Sequence, residues 1–332
     1  MSRRDVILEA VTAANREHQR VNSRHTVQSV GGGVDVFRTI LSLDIPLIFR
    51  PLDKLLGAYL PRPFPGVIIT TERNLAIQRY TGAHELGHLV LGHAGSLDDA
   101  SILERSPFRG ARYDEREIAA DAFAASFLMP EWLFELQAER QGWNADSLDD
   151  PRIVYQLSLR IGTSYAATCR TLDRYGYLQR GTLGKLLAVQ PKRIKQELLK
   201  GWQMPDWHSD VWVLTEQDEG TLIQGGPNDV FLIHLREHSG TGYLWNVEEL
   251  EKSGFALVSD ERNIPDVSES VGGVVERILL ASAQAEVAGE LELEQSRPWD
   301  PSDAADRLTL KYELLGKENG LPRAQRNMSA AA

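Results

Sequence analysis

The stretch from residue 81 to residue 93, TGAHELGHLVLGH, limits what this chain can fold into more than any other part of the sequence. It contains the HExxH pattern at positions 84–88. On a helix, residues four apart share a face, so His84 and His88 can bind one metal ion. Glu85 lies beside them, where it can hold and deprotonate a water molecule. The pattern predicts half of a zinc-peptidase site, although a helix with two unrelated histidines gives the same letters.

A second stretch, EIAADAFAASFLMP at positions 117–130, supplies the other half of the predicted site. It is rich in strong helix formers and stops at Pro130. Glu117 and Asp121 are four apart and therefore share one helix face. A catalytic zinc ion typically has three protein ligands and one open position. We predict Glu117 as the third ligand. Asp121 can accept a hydrogen bond from the distal nitrogen of His84 or His88, or both acids are ordinary surface residues.

Several alternatives stay open at this point. Asp114 and Glu115 are rival third ligands. The metzincin pattern needs a third histidine at position 94, which is Ala94, so we interpret His93 as a helix-end residue and not a ligand. Three side chains are candidates for stabilising the transition state: Tyr80, His93 and Tyr113.

The paired motifs resemble those of the ImmA/IrrE metallopeptidases, over about residues 30 to 180. The resemblance implies a gluzincin-type zinc peptidase with one Zn²⁺ per chain. Its ligands would be His84, His88 and Glu117, and its base would be Glu85. It also implies a role in transcription regulation and stress response in bacteria or phages, in which the enzyme cleaves a helix-turn-helix repressor or an antitoxin.

Composition and charge set the broad class of the protein. The chain has 332 residues and one cysteine, Cys169, so it can form no internal disulfide bond. It contains no apolar run long enough for a signal peptide or a membrane span. We therefore expect a cytoplasmic protein with no membrane contact. The net charge of −11 argues against binding nucleic acid with the whole surface.

The segment from residue 151 to residue 200 departs from this acidic balance. It holds ten Lys or Arg and two Asp or Glu residues, which gives a charge of +8. Within it, the small residue Ser158, the turn residue Gly162 and the capping residue Ser164 follow helix-turn-helix spacing. Arg170 and Arg174 would line an exposed face and could contact DNA. The alternative is a helical scaffold that closes the peptidase domain.

The region before the HExxH motif predicts two amphipathic helices, over residues 5–20 and 34–43, and two strands of a small sheet, over residues 46–49 and 66–70. Thr81 is the expected N-cap of the zinc-binding helix. The polar residues 97–116 predict a loop.

After about residue 205 the pattern changes to short apolar segments separated by turn signals. We predict strands over residues 211–214, 230–235, 254–258, 274–280 and 308–312, which together suggest a β-sandwich. Three loop motifs, rich in glycine, aromatic residues and arginine, predict a recognition surface at one end of it. Their candidate contact residues are Thr241, Gly242, Tyr243 and Trp245, then Gly272 and Gly273, then Arg297, Pro298 and Trp299. The alternative is that Tyr243, Trp245 and Trp299 pack in the core or in turns.

In that order, the three loops resemble those of the chagasin-like cysteine-peptidase inhibitors, over about residues 208 to 316. The resemblance implies an immunoglobulin-like fold and a cysteine peptidase as a candidate partner. Three positions depart from the family pattern: His238 and Ser239 replace its Asn-Pro, and Ser270 replaces the first glycine of its second loop.

The sequence thus predicts an α+β protein with a gluzincin-like zinc metallopeptidase domain (residues 1–140), a helix-turn-helix-like segment (141–205), a chagasin-like immunoglobulin-type β-sandwich (206–317) and a flexible tail (318–332). The predicted function is hydrolysis of a peptide bond in a regulatory protein, with the sandwich as recognition module. Two alternatives are a DNA- or partner-binding regulator with a non-catalytic metal site, and a peptidase inhibitor.

Overall fold

The first part of the chain is a set of helices packed on a small sheet. The structure is a computed structural model that describes residues 2–99, 114–204, 206–263 and 274–330. The helices of this part are α1 (Arg3–Arg20), α2 (Ser23–Val30), α3 (Val36–Leu41), α4 (Leu75–Val90), α5 (Glu115–Leu128) and α6 (Glu131–Gln141). The strands are β1 (Leu47–Arg50), β2 (Leu55–Leu60), β3 (Gly66–Thr70) and β4 (Ser96–Asp99).

The sheet has the order β1-β3-β2-β4. β1 and β3 are parallel, whereas β2 runs antiparallel to both β3 and β4. Strand β2 passes close to helix α4 at Gly57. A Cβ atom there would lie 2.4 Å from the Thr81 side chain and 2.7 Å from Glu85 Oε1. Only glycine allows this approach, which brings the sheet directly beside the HExxH motif.

Two local predictions in this part are wrong. The N-cap of α4 is Asn74, whose side chain accepts a hydrogen bond from the Ile77 amide, and Thr81 lies buried inside the helix. Residues 75–80 continue the helix because they contain no breaker. Residues 97–99, expected in a loop, belong to β4, because two of its polar side chains, those of Ser96 and Asp98, point inward at the sheet edge.

Helices α4 and α5 pack closely through small residues. A Cβ atom at Gly87 would lie 3.2 Å from the Ala120 Cα atom and 3.2 Å from the Phe123 Cβ atom. The alanines of α5 are buried, as are Phe123 and Phe127. The helix therefore lies in the middle of the core, and its acids at positions 117 and 121 face α4. A larger residue at position 87 would push the two helices apart.

The middle of the chain forms four helices: α7 (Pro151–Ile161), α8 (Tyr165–Tyr175), α9 (Thr182–Ala188) and α10 (Pro191–Leu198). The turn between α7 and α8 has the predicted chemistry. Gly162 adopts a φ of 72°, and the Ser164 side chain accepts a hydrogen bond from the Ala167 amide. Ser158 is buried, and its hydroxyl donates to the Tyr155 carbonyl.

The last part is a β-sandwich of two four-stranded sheets, with the orders β5-β7-β10-β9 and β6-β12-β11-β8. Apolar side chains from both sheets, such as Phe231, Leu279, Leu293 and Leu310, fill the core between them. The five predicted strands are present and three more accompany them. The elements are β5 (Val211–Leu214), β6 (Leu222–Gln224), β7 (Val230–Glu237), β8 (Leu244–Trp245), α11 (Glu248–Lys252), β9 (Phe255–Asn263), β10 (Val275–Ala283), β11 (Val287–Arg297), β12 (Asp300–Leu314) and α12 (Arg323–Ala330).

Buried polar contacts join the sandwich to the helices. Arg160 of α7 forms an ion pair of 2.9 Å with Asp218, and both side chains are buried. The Gln156 amide donates to the Val211 carbonyl of β5 at 2.8 Å. Because a buried charge that loses its partner is strongly destabilising, these contacts hold the two parts together. Among the described helices, none has the length and apolar character needed to cross a bilayer.

The segment from Glu318, expected to be a flexible tail, is attached to the first part of the chain. The Glu318 amide donates to the Gln78 side chain at 2.7 Å, and Phe49 and Gly320 exchange two backbone hydrogen bonds. Residues 323–330 then form α12. The polar composition of this segment does not indicate that its backbone groups form hydrogen bonds with buried residues of β1 and α4.

We predict that His18 makes the fold acid-sensitive. Its ring stacks on Phe127, with centroids 4.7 Å apart, and burial lowers its pKa from 6.5 to about 4. Between these two pH values the unfolded chain binds a proton at His18 and the folded chain does not. The free energy of unfolding therefore falls as pH drops from 6.5 towards 4. Between pH 7 and pH 5 the loss is about 2 kcal/mol.

The measurement is urea unfolding of wild type and of His18→Phe at pH 7 and pH 5. Phenylalanine keeps the aromatic stack but cannot bind a proton. The variant should lose about 2 kcal/mol less than wild type over this interval. Equal losses in both proteins would show that His18 is not responsible.

Candidate metal centre

Two helices and one strand bring four potential metal ligands together. Helix α4 contributes His84 and His88, α5 contributes Glu117 from its first turn, and β4 contributes Asp98. One ligand atom from each residue lies within 4.8 Å of the other three. His84, His88 and Asp98 are buried, whereas Glu117 is partly exposed. The four side chains therefore converge on one point with a single partly open side.

The distances suit a tetrahedral ion. His84 Nε2 lies 3.1 Å from His88 Nε2, 3.4 Å from Glu117 Oε2 and 3.6 Å from Asp98 Oδ2. His88 Nε2 lies 3.6 Å from Glu117 Oε1. Two ligand atoms that are each about 2 Å from a zinc ion at a tetrahedral angle are about 3.3 Å apart. Nitrogen and carboxylate oxygen donors of this kind suit Zn²⁺, and the residues present fit a divalent metal.

The charges around His84 also favour a cation. Although burial opposes protonation, hydrogen bonding to Asp121, Asp98 and Glu117 raises the pKa of His84 well above its ordinary value. Three carboxylates at a buried imidazole need a compensating positive charge, because unpaired buried charges are costly. A divalent metal supplies that charge at the point where the carboxylate and imidazole atoms meet.

Glu85 lies fully buried next to the cluster. Its Oε2 accepts a hydrogen bond of 2.7 Å from the Ser96 hydroxyl. Its Oε1, beside Gly57, is buried and has no hydrogen-bond partner among the residues that the structure describes. Burial, aided by the charge of Asp98, raises the pKa of Glu85 to about 8. The carboxyl group thus lies beside the candidate ligand atoms, where a general base would act.

The distal nitrogens of both histidines have partners that fix the direction of each ring. His84 Nδ1 lies 2.9 Å from Asp121 Oδ1, and the Tyr80 hydroxyl donates to the same oxygen at 3.1 Å. His88 Nδ1 lies 3.0 Å from His93 Nδ1. Such contacts hold the Nε2 atoms pointed at the cluster. His93, interpreted from sequence as a helix-end residue, also supports His88.

The structure distinguishes Glu117 from Asp114 and Glu115, the two alternative candidates for the third ligand. Asp114 caps α5 and pairs with Arg116 at 2.6 Å, and Glu115 is exposed. Neither belongs to the metal-ligand group. Tyr113 lies outside the described residues. Tyr80 and His93, the other candidates for transition-state stabilisation, make the orienting contacts described above.

Sequence reasoning missed Asp98 and Ser96. Both lie in a short polar stretch, SLDD, that follows the HExxH helix. In β4 these two side chains alternate with Leu97, which is 74 % exposed, and so reach the site together. The alternation itself was the available signal, but a single apolar residue among polar ones is too weak to indicate a strand.

The first and third loop motifs of the sandwich lie against each other. The Arg297 guanidinium lies 4.3 Å from the Tyr243 ring centroid, and the Arg297 Nε donates to the Thr241 carbonyl at 3.4 Å. Gly242 packs against Trp299, where a Cβ atom would lie 2.5 Å from the indole ring. Trp299 itself is 73 % exposed. Together these side chains form an exposed aromatic and basic surface.

Some of the other predicted recognition residues are not part of this surface. Trp245 does not belong to the surface: it is buried in the sandwich core, and its Nε1 donates to the Arg236 carbonyl at 2.9 Å. As the inward residue of β8 it follows the alternation of the strand. Gly272 and Gly273 lie outside the described residues, and Pro298 lies in the turn between β11 and β12.

The arginines of the helix-turn-helix segment differ in their surroundings. Arg170 is exposed on α8. Arg174 is half-buried, with its guanidinium 4.8 Å from the Tyr175 ring centroid. The predicted exposed pair is therefore reduced to one exposed residue, because Arg174 packs on its neighbour.

Two protein families match separate parts of this chain. The IrrE N-terminal-like domain, a peptidase family, matches residues 41–173. The chagasin family of peptidase inhibitors matches residues 226–314. The chain carries an IrrE-like domain followed by a chagasin-like domain. Both resemblances inferred from the sequence are thus confirmed, and the metal-ligand cluster lies within the IrrE-like domain. No curated protein matches the chain.

Three solved structures resemble the chagasin-like domain. The cysteine protease inhibitor EhICP2 from Entamoeba histolytica is 28 % identical, with 32 % of this chain and 97 % of that chain covered and a TM-score of 0.29. Amebosin is 23 % identical, with 31 % and 96 % covered and a TM-score of 0.26. PbICP-C, solved in complex with falcipain-2, is 12 % identical, with 32 % and 91 % covered and a TM-score of 0.22.

We predict that Glu117→Ala lowers metal content, because it removes one of the few carboxylates at the cluster. Glu115→Ala is the matched control, since it removes the same charge from the same helix turn at an exposed position. Metal content after purification and after equilibration with Zn²⁺ should fall in the first variant and stay at the wild-type value in the second. An equal loss in both, or in neither, would contradict the assignment of Glu117.

Proposed function

We propose that the chain is a zinc metalloendopeptidase of the gluzincin type, with His84, His88 and Glu117 as zinc ligands. The observation that carries the proposal is the position of Glu85, whose buried Oε1 has no hydrogen-bond partner among the described residues, beside the converging ligand atoms. A metal site with a purely structural role needs no such carboxylate. The IrrE-like domain supports a metallopeptidase independently.

The residues divide the work of hydrolysis between them. When bound, zinc polarises the scissile carbonyl group and lowers the pKa of water towards about 7. Glu85 takes the proton of the attacking water on its Oε1 and passes it to the leaving amine. Asp121 and His93 hold the two imidazoles in place throughout.

The substrate class is argued from family resemblance. We propose a regulatory protein, either a helix-turn-helix repressor or an antitoxin, cleaved in the cytoplasm in the course of transcription regulation or stress response. The surface formed by Thr241, Tyr243, Arg297 and Trp299 would recognise it. An exposed tryptophan next to a stacked arginine is typical of the side chains that dominate binding energy at interfaces.

Two other functions remain as alternatives. The chagasin-like domain fits a peptidase inhibitor, and inhibition of papain by the full chain tests that directly. DNA binding through the helix-turn-helix-like segment has less support, because α7 uses Gln156 and Arg160 to hold the sandwich. Salt-sensitive binding of duplex DNA by the full chain, abolished in Arg170→Ala, would favour it.

We predict that Glu85→Gln keeps the metal and loses hydrolysis. Glutamine preserves the shape of the side chain and its contact with Ser96 but cannot accept a proton. The rate of peptide cleavage, measured by mass spectrometry on a peptide library, should fall by about a hundredfold or more. The metal content should equal that of wild type. Cleavage at the wild-type rate by a metal-loaded variant would show that Glu85 is not the base.

We predict that Trp299→Ala separates recognition from chemistry. The exposed indole lies in the turn between β11 and β12 and has no contact with the metal-ligand cluster. Cleavage of a full-length protein target should slow by about tenfold or more, as for a hot-spot residue, while cleavage of a short peptide stays unchanged. The buried Trp245 is unsuitable as a comparison because its loss would disrupt the core, so exposed Leu321→Ala is the control. Unchanged cleavage of the protein target would contradict this role of the sandwich.

A further inference from the structure

Strand β4 lies at the edge of the sheet and directly over the candidate metal centre. Its two inward side chains reach different parts of the catalytic machinery. Asp98 Oδ2 lies 3.6 Å from His84 Nε2, and the Ser96 hydroxyl donates to Glu85 Oε2 at 2.7 Å. Leu97 and Asp99, which alternate with them, are exposed. One short strand therefore contacts both a proposed zinc ligand and the proposed base.

The number of potential ligands is one more than a catalytic zinc uses. Catalytic sites keep three protein ligands and an open position, whereas four protein ligands make a closed site. His84, His88 and Glu117 come from two helices packed closely against each other. Asp98 comes from a strand of four residues. If any ligand leaves to open the site, the strand can move with less disruption of the core than either helix.

The pairing of β4 with β2 is irregular close to the candidate metal centre. The two strands are antiparallel, and Asp98 pairs with Gly57, the residue that approaches Glu85. The register shifts between Leu55 and Gly57, next to this pair. Such irregularities end or weaken strand pairing and are frequent beside active sites. The ladder between β4 and β2 is therefore irregular next to the pair that lies at the candidate metal centre.

The same edge is suited to a peptide substrate. Without β4, strand β2 would present unpaired backbone amides and carbonyls beside Glu85 and the metal-ligand cluster. An extended peptide can add to such an edge as a new strand, with its backbone making the hydrogen bonds that β4 makes now. A peptide in that position would lie beside Glu85 and the cluster of candidate ligands.

We propose that residues 96–99 form a displaceable strand that closes the site, with Asp98 as a fourth metal ligand and Ser96 holding the base, and that the substrate replaces this strand along β2. The proposal rests on the proposed peptidase function and adds its regulation and the mode of substrate binding: an extended segment, antiparallel to β2. A folded helical segment of a target would have to unfold locally to be cleaved.

The test uses Asp98→Asn in the full chain, with Asp99→Asn as the matched control. Both variants lose one negative charge in β4, but the second changes a residue on the exposed face. Each protein is freed of metal and titrated with Co²⁺, whose visible absorption reports its ligands. Asp98→Asn should still bind one Co²⁺ per chain, with a changed spectrum as solvent replaces the carboxylate. The dissociation constant of its Co²⁺ complex should rise by about tenfold or more. Loss of a contact that only supports a ligand already has an effect of that size.

Displacement is tested by two further measurements on the same proteins. Hydrogen exchange of the amides in residues 55–60 and 96–99 should be faster in Asp98→Asn than in Asp99→Asn. With zinc bound, cleavage of a peptide library should be faster in Asp98→Asn than in wild type. Ser96→Ala, which frees Glu85 without changing a metal ligand, should speed exchange of residues 96–99 while the Co²⁺ spectrum stays that of wild type.

The outcomes separate this proposal from the proposed function. An unchanged spectrum and affinity in Asp98→Asn would show that Asp98 is not a ligand. Complete loss of metal in that variant would make Asp98 a permanent ligand of a closed site. Slower exchange or slower cleavage would contradict displacement. A wild-type chain that binds no metal at all would instead sink the proposed peptidase function.

Discussion

The close packing of helix α4 against helix α5 is the contact on which the candidate site depends. Gly87 and the alanines of α5 let the two backbones approach, and this approach brings Glu117 to the Nε2 atoms of His84 and His88. The same contact places Asp121 behind His84. Without small residues at this crossing, the ligands would be too far apart for one ion. Neither helix forms the candidate site alone, because each supplies only part of the ligand set.

The sandwich is not an independent attachment to this core. A buried ion pair between Arg160 and Asp218, and the hydrogen bonds of Gln78 with Glu318, tie residues far apart in sequence to one another. Breaking such buried pairs is costly, so these contacts stabilise the packing of the later part of the chain against the helices.

The parts of the site that the sequence revealed are those encoded by helical spacing. His84, Glu85, His88, Glu117 and Asp121 could be found because residues four apart share a helix face, and the structure brings all of them together. Asp98 and Ser96 reach the site through strand pairing, which no local pattern specifies. Trp245 was misplaced because a two-residue strand gives too few positions to show which side chain faces inward.

Identifying the atoms bound to the metal is the most direct test of the proposed zinc centre. X-ray absorption at the zinc edge, on the purified wild-type chain, should show about one zinc ion bound only by nitrogen and oxygen at about 2.0–2.2 Å, with the outer-shell scattering of two imidazoles. A sulfur neighbour at about 2.3 Å, or a chain that stays free of metal after zinc is supplied, would contradict the proposed centre.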